Sequence, residues 1–363
     1  MSDVARGRRP NAVGRRTLIA FATALAATAG LRPPAQACDL CAIYTTTEER
    51  QDQTGLQLGV AEQFTYFHTL KLNGQEQTNP YGERIASSIT QVFAGYNFIP
   101  LAGLQLNLPI ISRSFRRLEA DGVMDGNVSG IGDLSLIGHW KPLTWVDTSH
   151  VAHLMIFGGL KFPTGDPALL GEEVDEPCVP FPDPSACSGQ HFVQRHVPAG
   201  LHPHHESGVP SGIHGHDLAL GSGSVDGIVG AQAFATWRRA FASGSVQYLA
   251  RTVGAFGYQY ANDLLFNAGP GLYALLGDDW FGKAYALRLQ VLLSGETKGT
   301  DTLQGEPVGD TGLTALYLGP DIGFAWGTQL ALEIAAELPV LQNNTQLQIV
   351  PDYRLRGAVS WRF

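Results

Sequence analysis

The stretch "YALRLQVLLS", residues 285–294, carries two patterns at once. Tyr285, Leu287, Leu289, Val291 and Leu293 form one alternating set, while Arg288, Gln290 and Ser294 belong to the other. Successive side chains of a strand point to opposite faces, so the segment makes a ribbon with one apolar and one polar face. The same design recurs in "QLALEIAAELPV" (329–340), where Leu330, Leu332, Ile334, Ala336 and Leu338 oppose Gln329, Glu333 and Glu337. In "LQLNLPI" (104–110), Leu104, Leu106, Leu108 and Ile110 oppose Gln105 and Asn107.

Beyond residue 55 no helical periodicity competes with this period of two. Twelve such segments lie near 55–68, 84–98, 103–117, 132–145, 149–163, 217–238, 243–257, 263–276, 281–295, 311–326, 328–340 and 351–363. Connections after the even-numbered segments are short, and those after the odd-numbered ones are longer and polar or Gly-rich. An even strand count with short turns at one end and long loops at the other is the pattern of an outer-membrane barrel. The expected fold is all-β, a transmembrane antiparallel β-barrel of about twelve strands occupying 55–363, with a long His-rich extracellular loop at 165–216. In the first strand Glu62 falls in phase with Leu58 and Val60, which predicts a bulge or a slipped register there.

The N-terminus fits an exported protein. Arg6, Arg8, Arg9, Arg15 and Arg16 precede the apolar "TLIAFATALAATAGL" (17–31), and "AQA" (35–37) supplies a small-residue cleavage site. Residues 1–37 are read as a signal peptide, of the general secretory kind or, through "GRRTLIAF", of the twin-arginine kind. Residues 38–54 would be a periplasmic segment and the barrel would sit in the bacterial outer membrane. Losing residues 1–37 removes six arginines and one aspartate, taking the net charge from −9 to −14. So acidic a chain is no general nucleic-acid binder, because phosphate neutralisation needs clustered Lys and Arg.

Four cysteines suit an oxidising compartment. Cys178 and Cys187, nine apart in a Pro-rich subloop, fit a disulfide. "CDLC" (Cys38 and Cys41) fits a local disulfide or a redox or metal contact with a periplasmic or electron-transfer partner. The loop "QHFVQRHVPAGLHPHHESGVPSGIHGHD" holds His191, His196, His202, His204, His205, His214 and His216, seven of the eleven histidines. Neutral imidazole is a good ligand for Zn²⁺ and Cu²⁺, so metal capture stands beside the plain reading of a solvated polar loop.

Alternation assigns Arg113, Asp226, Arg251, Arg288, Asp321, Glu333, Glu337, Arg354 and Arg356 to the barrel interior. Glu333 and Glu337 are expected to pair with Arg354 and Arg356 across the last hairpin. Such charges fill a polar interior, and they also suit a constriction that sorts permeants by charge and size. The segment "YRLRGAVSWRF" (353–363) should put Tyr353, Leu355, Val359, Trp361 and Phe363 toward lipid and its arginines inside, with Trp361 and Phe363 forming the signal for the barrel-assembly machinery. No nucleophile elbow, P-loop or H-E-x-x-H motif is present, and no enzyme activity is expected.

Three Gly-rich segments, "SGIGDLSLIGHWKPL" (129–143), "GGLKFPTGD" (158–166) and "HDLALGSGSVDGIVGAQAF" (216–234), resemble the outer-membrane family named for the MetA pathway of phenol degradation. The matching residues are Gly130, Gly132 and Asp133, then Pro163, Thr164, Gly165 and Asp166, then Gly221 and Gly223. The resemblance implies a barrel that takes up small, often aromatic, molecules. The expected function is therefore passive uptake of a small solute, with a structural barrel that binds a partner through its cysteine segment as the alternative.

Overall fold

The computed structural model describes residues 54–119, 122–147, 149–175 and 211–363. Seventeen strands are present among them: β1 (Gly55–Leu72), β2 (Gln75–Gln77), β3 (Arg84–Ile99), β4 (Ala102–Glu119), β5 (Gly122–Ile131), β6 (Leu134–Val146), β7 (His150–Phe162), β8 (Asp226–Trp237), β9 (Ala240–Ala250), β10 (Tyr258–Gln259), β11 (Asp263–Trp280), β12 (Lys283–Lys298), β13 (Thr302–Leu303), β14 (Glu306–Pro307), β15 (Leu313–Trp326), β16 (Leu330–Asn344) and β17 (Leu347–Arg362). β5 and β6 pair with the upper and lower parts of β4, so together they make one wall strand broken at Gly132 and Asp133. With that pair counted as one, twelve antiparallel strands run in chain order around the wall, and β17 closes on β1 from Gln57↔Arg362 to Leu72↔Leu347. Closure leaves the wall without an edge, which a strand in hydrocarbon requires. The structure is the expected transmembrane barrel of twelve strands.

The alternation holds side chain by side chain. On β12 Leu289, Val291 and Leu293 are exposed on the outside while Gln290, Ser294 and Glu296 are buried within. On β17 Leu355, Val359, Trp361 and Phe363 face out, and Arg354 and Arg362 are buried inside. The outward residues of β4 change from Leu104, Leu106 and Ile110 to Ser112, Ser114 and Arg116 as the strand climbs, which marks the upper edge of the apolar belt. The lower edge is marked by tryptophan. All six, Trp140, Trp145, Trp237, Trp280, Trp326 and Trp361, lie at or near the rim that holds Phe363, the C-terminal rim. Indole favours a membrane interface because its ring is apolar and its N–H is polar.

Several sequence expectations are corrected. The turns at the C-terminal rim are short, at 100–101, 147–149, 238–239, 281–282 and 327–329, but two connections at the distal rim are equally tight, at 120–121 and 345–346. There the alternating pattern of "VMDGNVSGI" and of the segment after Leu347 continues the ladder where loops were expected. The sixth segment was drawn from 217, but the wall strand starts at Asp226: residues 215–218 form a helical turn and the chain up to 225 runs inside the barrel. Glu62 marks no slip. Its pairing with Thr90 and Gly357 is continuous, its carboxylate faces outward, and the hydroxyls of Ser88 and Thr90 each donate to it at 2.5 Å. The register shift in β1 comes later, between Tyr66 and Thr69.

Candidate functional site

The interior has two unlike halves. Toward the distal rim it is filled by the connection between β7 and β8, of which residues 163–175 and 211–225 are described. Its apolar residues dock on inward-facing wall residues: Ile213 and Leu218 pack with Ile85, Phe115 and Ile349, and Leu220 packs with Ile89 and Ile111. Leu170 and Ala219 pack with Tyr258 and Tyr260. Fully burying an aliphatic side chain contributes about 1.5–3 kcal/mol, so the four, Leu170, Ile213, Leu218 and Leu220, hold the insert as part of the fold.

Polar contacts fix its register. Asp133, at the break between β5 and β6, accepts from the Gly165 amide at 3.0 Å on one oxygen. Its other oxygen accepts from the Ser222 amide at 2.9 Å, the Ser222 hydroxyl at 2.7 Å and Lys161 Nζ at 2.9 Å. Thr164 donates to the Gly132 carbonyl at 2.8 Å, and the amides of Leu220 and Gly221 donate to the Asp166 carbonyl at 3.1 and 3.0 Å. Gly165 and Gly221 lie so close that a Cβ on Gly221 would sit 2.5 Å from the backbone of Gly165. Only two glycines can pass at that separation. Six of the nine residues that carry the family resemblance, Gly132, Asp133, Thr164, Gly165, Asp166 and Gly221, thus form one clasp between insert and wall.

The clasp continues into a buried charge network. Lys161 also reaches Asp226 at 3.0 Å, and Arg251 bridges Asp226 at 2.9 Å and Asp263 at 2.7 Å. Arg117 bridges Glu119 and Glu172, both at 2.8 Å, and Arg113 Nη1 donates to the Ala219 carbonyl at 2.9 Å. Each buried charge here has an opposite charge or a carbonyl, the condition under which burial is tolerated.

Two histidines lie on the same insert. His214 precedes the helical turn Gly215–Leu218, and Asp217 accepts from the His214 amide at 2.9 Å. His216 is buried; Glu173 accepts from its amide at 2.7 Å and meets its Nδ1 at 2.8 Å. Burial alone would lower the His216 pKa, but Asp217 and Glu173 outweigh it and hold the ring well above its ordinary value. Burial likewise opposes ionisation of Glu173, and His216 holds it below the usual carboxylate range.

Toward the C-terminal rim the interior holds a cavity of about 120 Å³. One part of its lining is apolar, with Phe157, Leu265 and Leu292, and another is charged, with Arg288, Asp321, Glu333, Glu337, Arg354 and Arg356. The charges pair, though not as the last hairpin alone predicts. Glu337 meets Arg356 diagonally at 2.5 Å, while Glu333 turns to Arg288 on β12 at 2.8 Å. Arg354, directly opposite Glu337 in register, reaches past β16 to Glu296 at 2.9 Å, its guanidinium 4.3 Å from the centre of the Tyr317 ring. Asp321 Oδ1 lies 3.9 Å from Arg288, and neither that oxygen nor Arg356 Nε has a hydrogen-bond partner among the described residues.

The structure therefore places all nine charged residues assigned by alternation inside, but in different roles. Arg113, Asp226 and Arg251 hold or flank the insert, and the other six line the cavity. Sequence reasoning singled out Asp133 only through the family resemblance and missed Lys161, Glu172 and Glu173. The signal was present in the inward positions of β3 and β4, where Ile85, Ile89, Ile111 and Phe115 are too apolar to face water and so require something to cover them. His191, His196, His202, His204 and His205, both cysteine pairs, and residues 1–53 lie outside the described residues.

No protein-family model and no curated protein matches the sequence. Among solved structures, an outer membrane channel from Pseudomonas putida F1 superposes with a TM-score of 0.52 at 13% identity, over 88% of this chain and 100% of that one. A FadL homologue from Pseudomonas aeruginosa gives a TM-score of 0.31 at 9% identity, over 85% of this chain and 90% of that one. The monoaromatic hydrocarbon channel CymD gives a TM-score of 0.31 at 8% identity, over 86% and 90%. At these identities the similarity concerns the fold.

Proposed function

We propose that this chain is an outer-membrane channel for passive entry of small solutes that join an aromatic or aliphatic body to a polar or charged group. The observation that carries the reading is the cavity itself, which sets Phe157, Leu265 and Leu292 beside Arg288, Arg356, Asp321 and Glu333. The unpartnered Asp321 Oδ1 and Arg356 Nε are the atoms a solute would engage. Burying them without a partner costs about 1–3 kcal/mol each, which a polar solute or water relieves. The apolar belt and the ring of tryptophans support placement in an outer membrane, with the C-terminal rim on the periplasmic side. The resemblance to the MetA-pathway family, and the description of the Pseudomonas putida barrel as a channel, support transport of a small molecule.

The insert makes this channel a restricted one. Solute must pass beside residues 211–225 or wait for them to move. The test is current across planar bilayers from the full chain, with the folded barrel checked by its heat-dependent gel mobility. Small, discrete openings that an aromatic carboxylate added on one side partly blocks are expected. Folded protein that stays silent at every voltage, and stays silent when the clasp is broken at Asp133, would overturn the channel reading in favour of a closed structural barrel.

A further inference from the structure

The described insert contains a group of side chains that the clasp and the cavity do not use: His214, His216 and Asp217. Their ligand atoms lie within 4.8 Å of one another. Glu173 stands behind His216 and Asp310 beside His214, whose Nε2 is 3.3 Å from Asp310 Oδ2. We propose that His214, His216 and Asp217 form a binding site for a borderline divalent metal ion of the Zn²⁺ or Cu²⁺ class, with Glu173 as the carboxylate that orients His216.

The orientation argument is the strongest. A metal-bound imidazole keeps its tautomer by giving its other N–H to a carboxylate or carbonyl. His216 Nδ1 is 2.8 Å from Glu173 Oε1, so Nε2 is the nitrogen left to coordinate, and it lies 3.4 Å from Asp217 Oδ1. Glu173 is buried and also accepts from the His216 amide, so the oxygen that meets Nδ1 is itself held in place by the backbone. Tyr258 stacks on the ring at 6.1 Å and 14°, and Tyr260 donates to the His216 carbonyl at 3.0 Å, which fixes it from two further directions.

Distances and charge also fit. An ion about 2.0–2.1 Å from each donor needs donors about 3.3 Å apart in a tetrahedron, so His216 Nε2 and Asp217 Oδ1 are already nearly spaced for it. The rings of His214 and His216 stack at 5.6 Å and 11°, which sets the two imidazoles side by side. Carboxylates of Glu173, Asp217 and Asp310 surround the group, and a dication placed on the imidazole nitrogens sits where they favour positive charge. Asp217 and Asp310 are partly exposed and leave an entry path.

The proposal is independent of whether the barrel conducts. Zn²⁺ alone is titrated into the full chain in detergent by calorimetry, and Co²⁺ visible absorption reports coordination geometry. A variant with His191, His196, His202, His204 and His205 all changed to Ala should keep one tight site with tetrahedral Co²⁺ bands. His214→Ala and Asp217→Asn should each abolish it. Glu173→Gln, which keeps every ligand, should weaken it by about 10–100-fold. Gel mobility and thermal melting of each variant verify that the barrel is folded. If tight binding disappears in the five-histidine variant, or survives both His214→Ala and Asp217→Asn, the site is not there.

Discussion

The two halves of the barrel interior are built from the same residue types and behave differently. In the distal half, Asp133, Lys161, Asp226 and Arg251 are buried and mutually satisfied, and they share their oxygens with backbone amides of the insert. In the half near the C-terminal rim, Arg288, Asp321, Glu333 and Arg356 surround a void, and two of their polar atoms have no hydrogen-bond partner among the described residues. Charge inside a barrel is therefore not one signal. Where backbone amides converge on a carboxylate the charge is part of the scaffold; where a carboxylate faces space it is available to whatever passes.

The sharpest way to break this contrast is Asp133→Ala. It leaves Lys161 with one carboxylate, Asp226, and strands the amides of Gly165 and Ser222 in a buried site, and each buried polar group left unsatisfied costs about 1–3 kcal/mol. The insert should undock, seen as new protease cleavage within 163–225 and as higher conductance. Leu218→Ala attacks the same docking through its apolar side; deletion of a buried Leu costs about 2–5 kcal/mol, and the thermal midpoint should fall with no change in ion selectivity.

How much of this was legible beforehand follows the same division. The wall was readable because lipid outside and polar residues inside force a strict period of two, as in 285–294, and because short turns punctuate it. The insert was not, because residues 211–225 satisfy their backbone through Asp133, Asp166 and Glu83, partners 54 to 129 positions away in the chain. "HDLALGSGSVDGIVG" looks like the start of a strand since Leu218 and Leu220 alternate with small residues, but those leucines pack against the inner wall. The nine interior charges could be placed by parity alone, yet parity carries no height along the barrel axis, and height separates scaffold from lining.

Gly221→Val tests the clasp by volume. The added methyls meet the Gly165 backbone, and overpacking of this kind costs about 1–3 kcal/mol; cleavage of the insert should increase, though less than in Asp133→Ala. Arg356→Gln belongs to the other half. It leaves the buried Glu337 without its arginine, so the melting midpoint should fall, but protease protection of the insert should stay nearly unchanged while the permeability ratio shifts toward cations, measured as a reversal potential in a salt gradient. If Arg356→Gln undocks the insert, the two halves are one network and the contrast fails. Asp125→Asn should do least: its ion pairs with Arg84 and Arg116 sit on the outer surface beyond the apolar belt, and exposed pairs of that kind contribute little. Melting in the variant should match the parent.

The confinement of all six tryptophans to the C-terminal rim has an optical consequence. Indole emission from this molecule reports on a single membrane leaflet boundary, so bromine-labelled lipids should quench it from that side and scarcely from the other. Events at the opposite rim, including release of the insert, would pass unseen in tryptophan fluorescence and must be followed through Tyr258 and Tyr260, which lie against the insert.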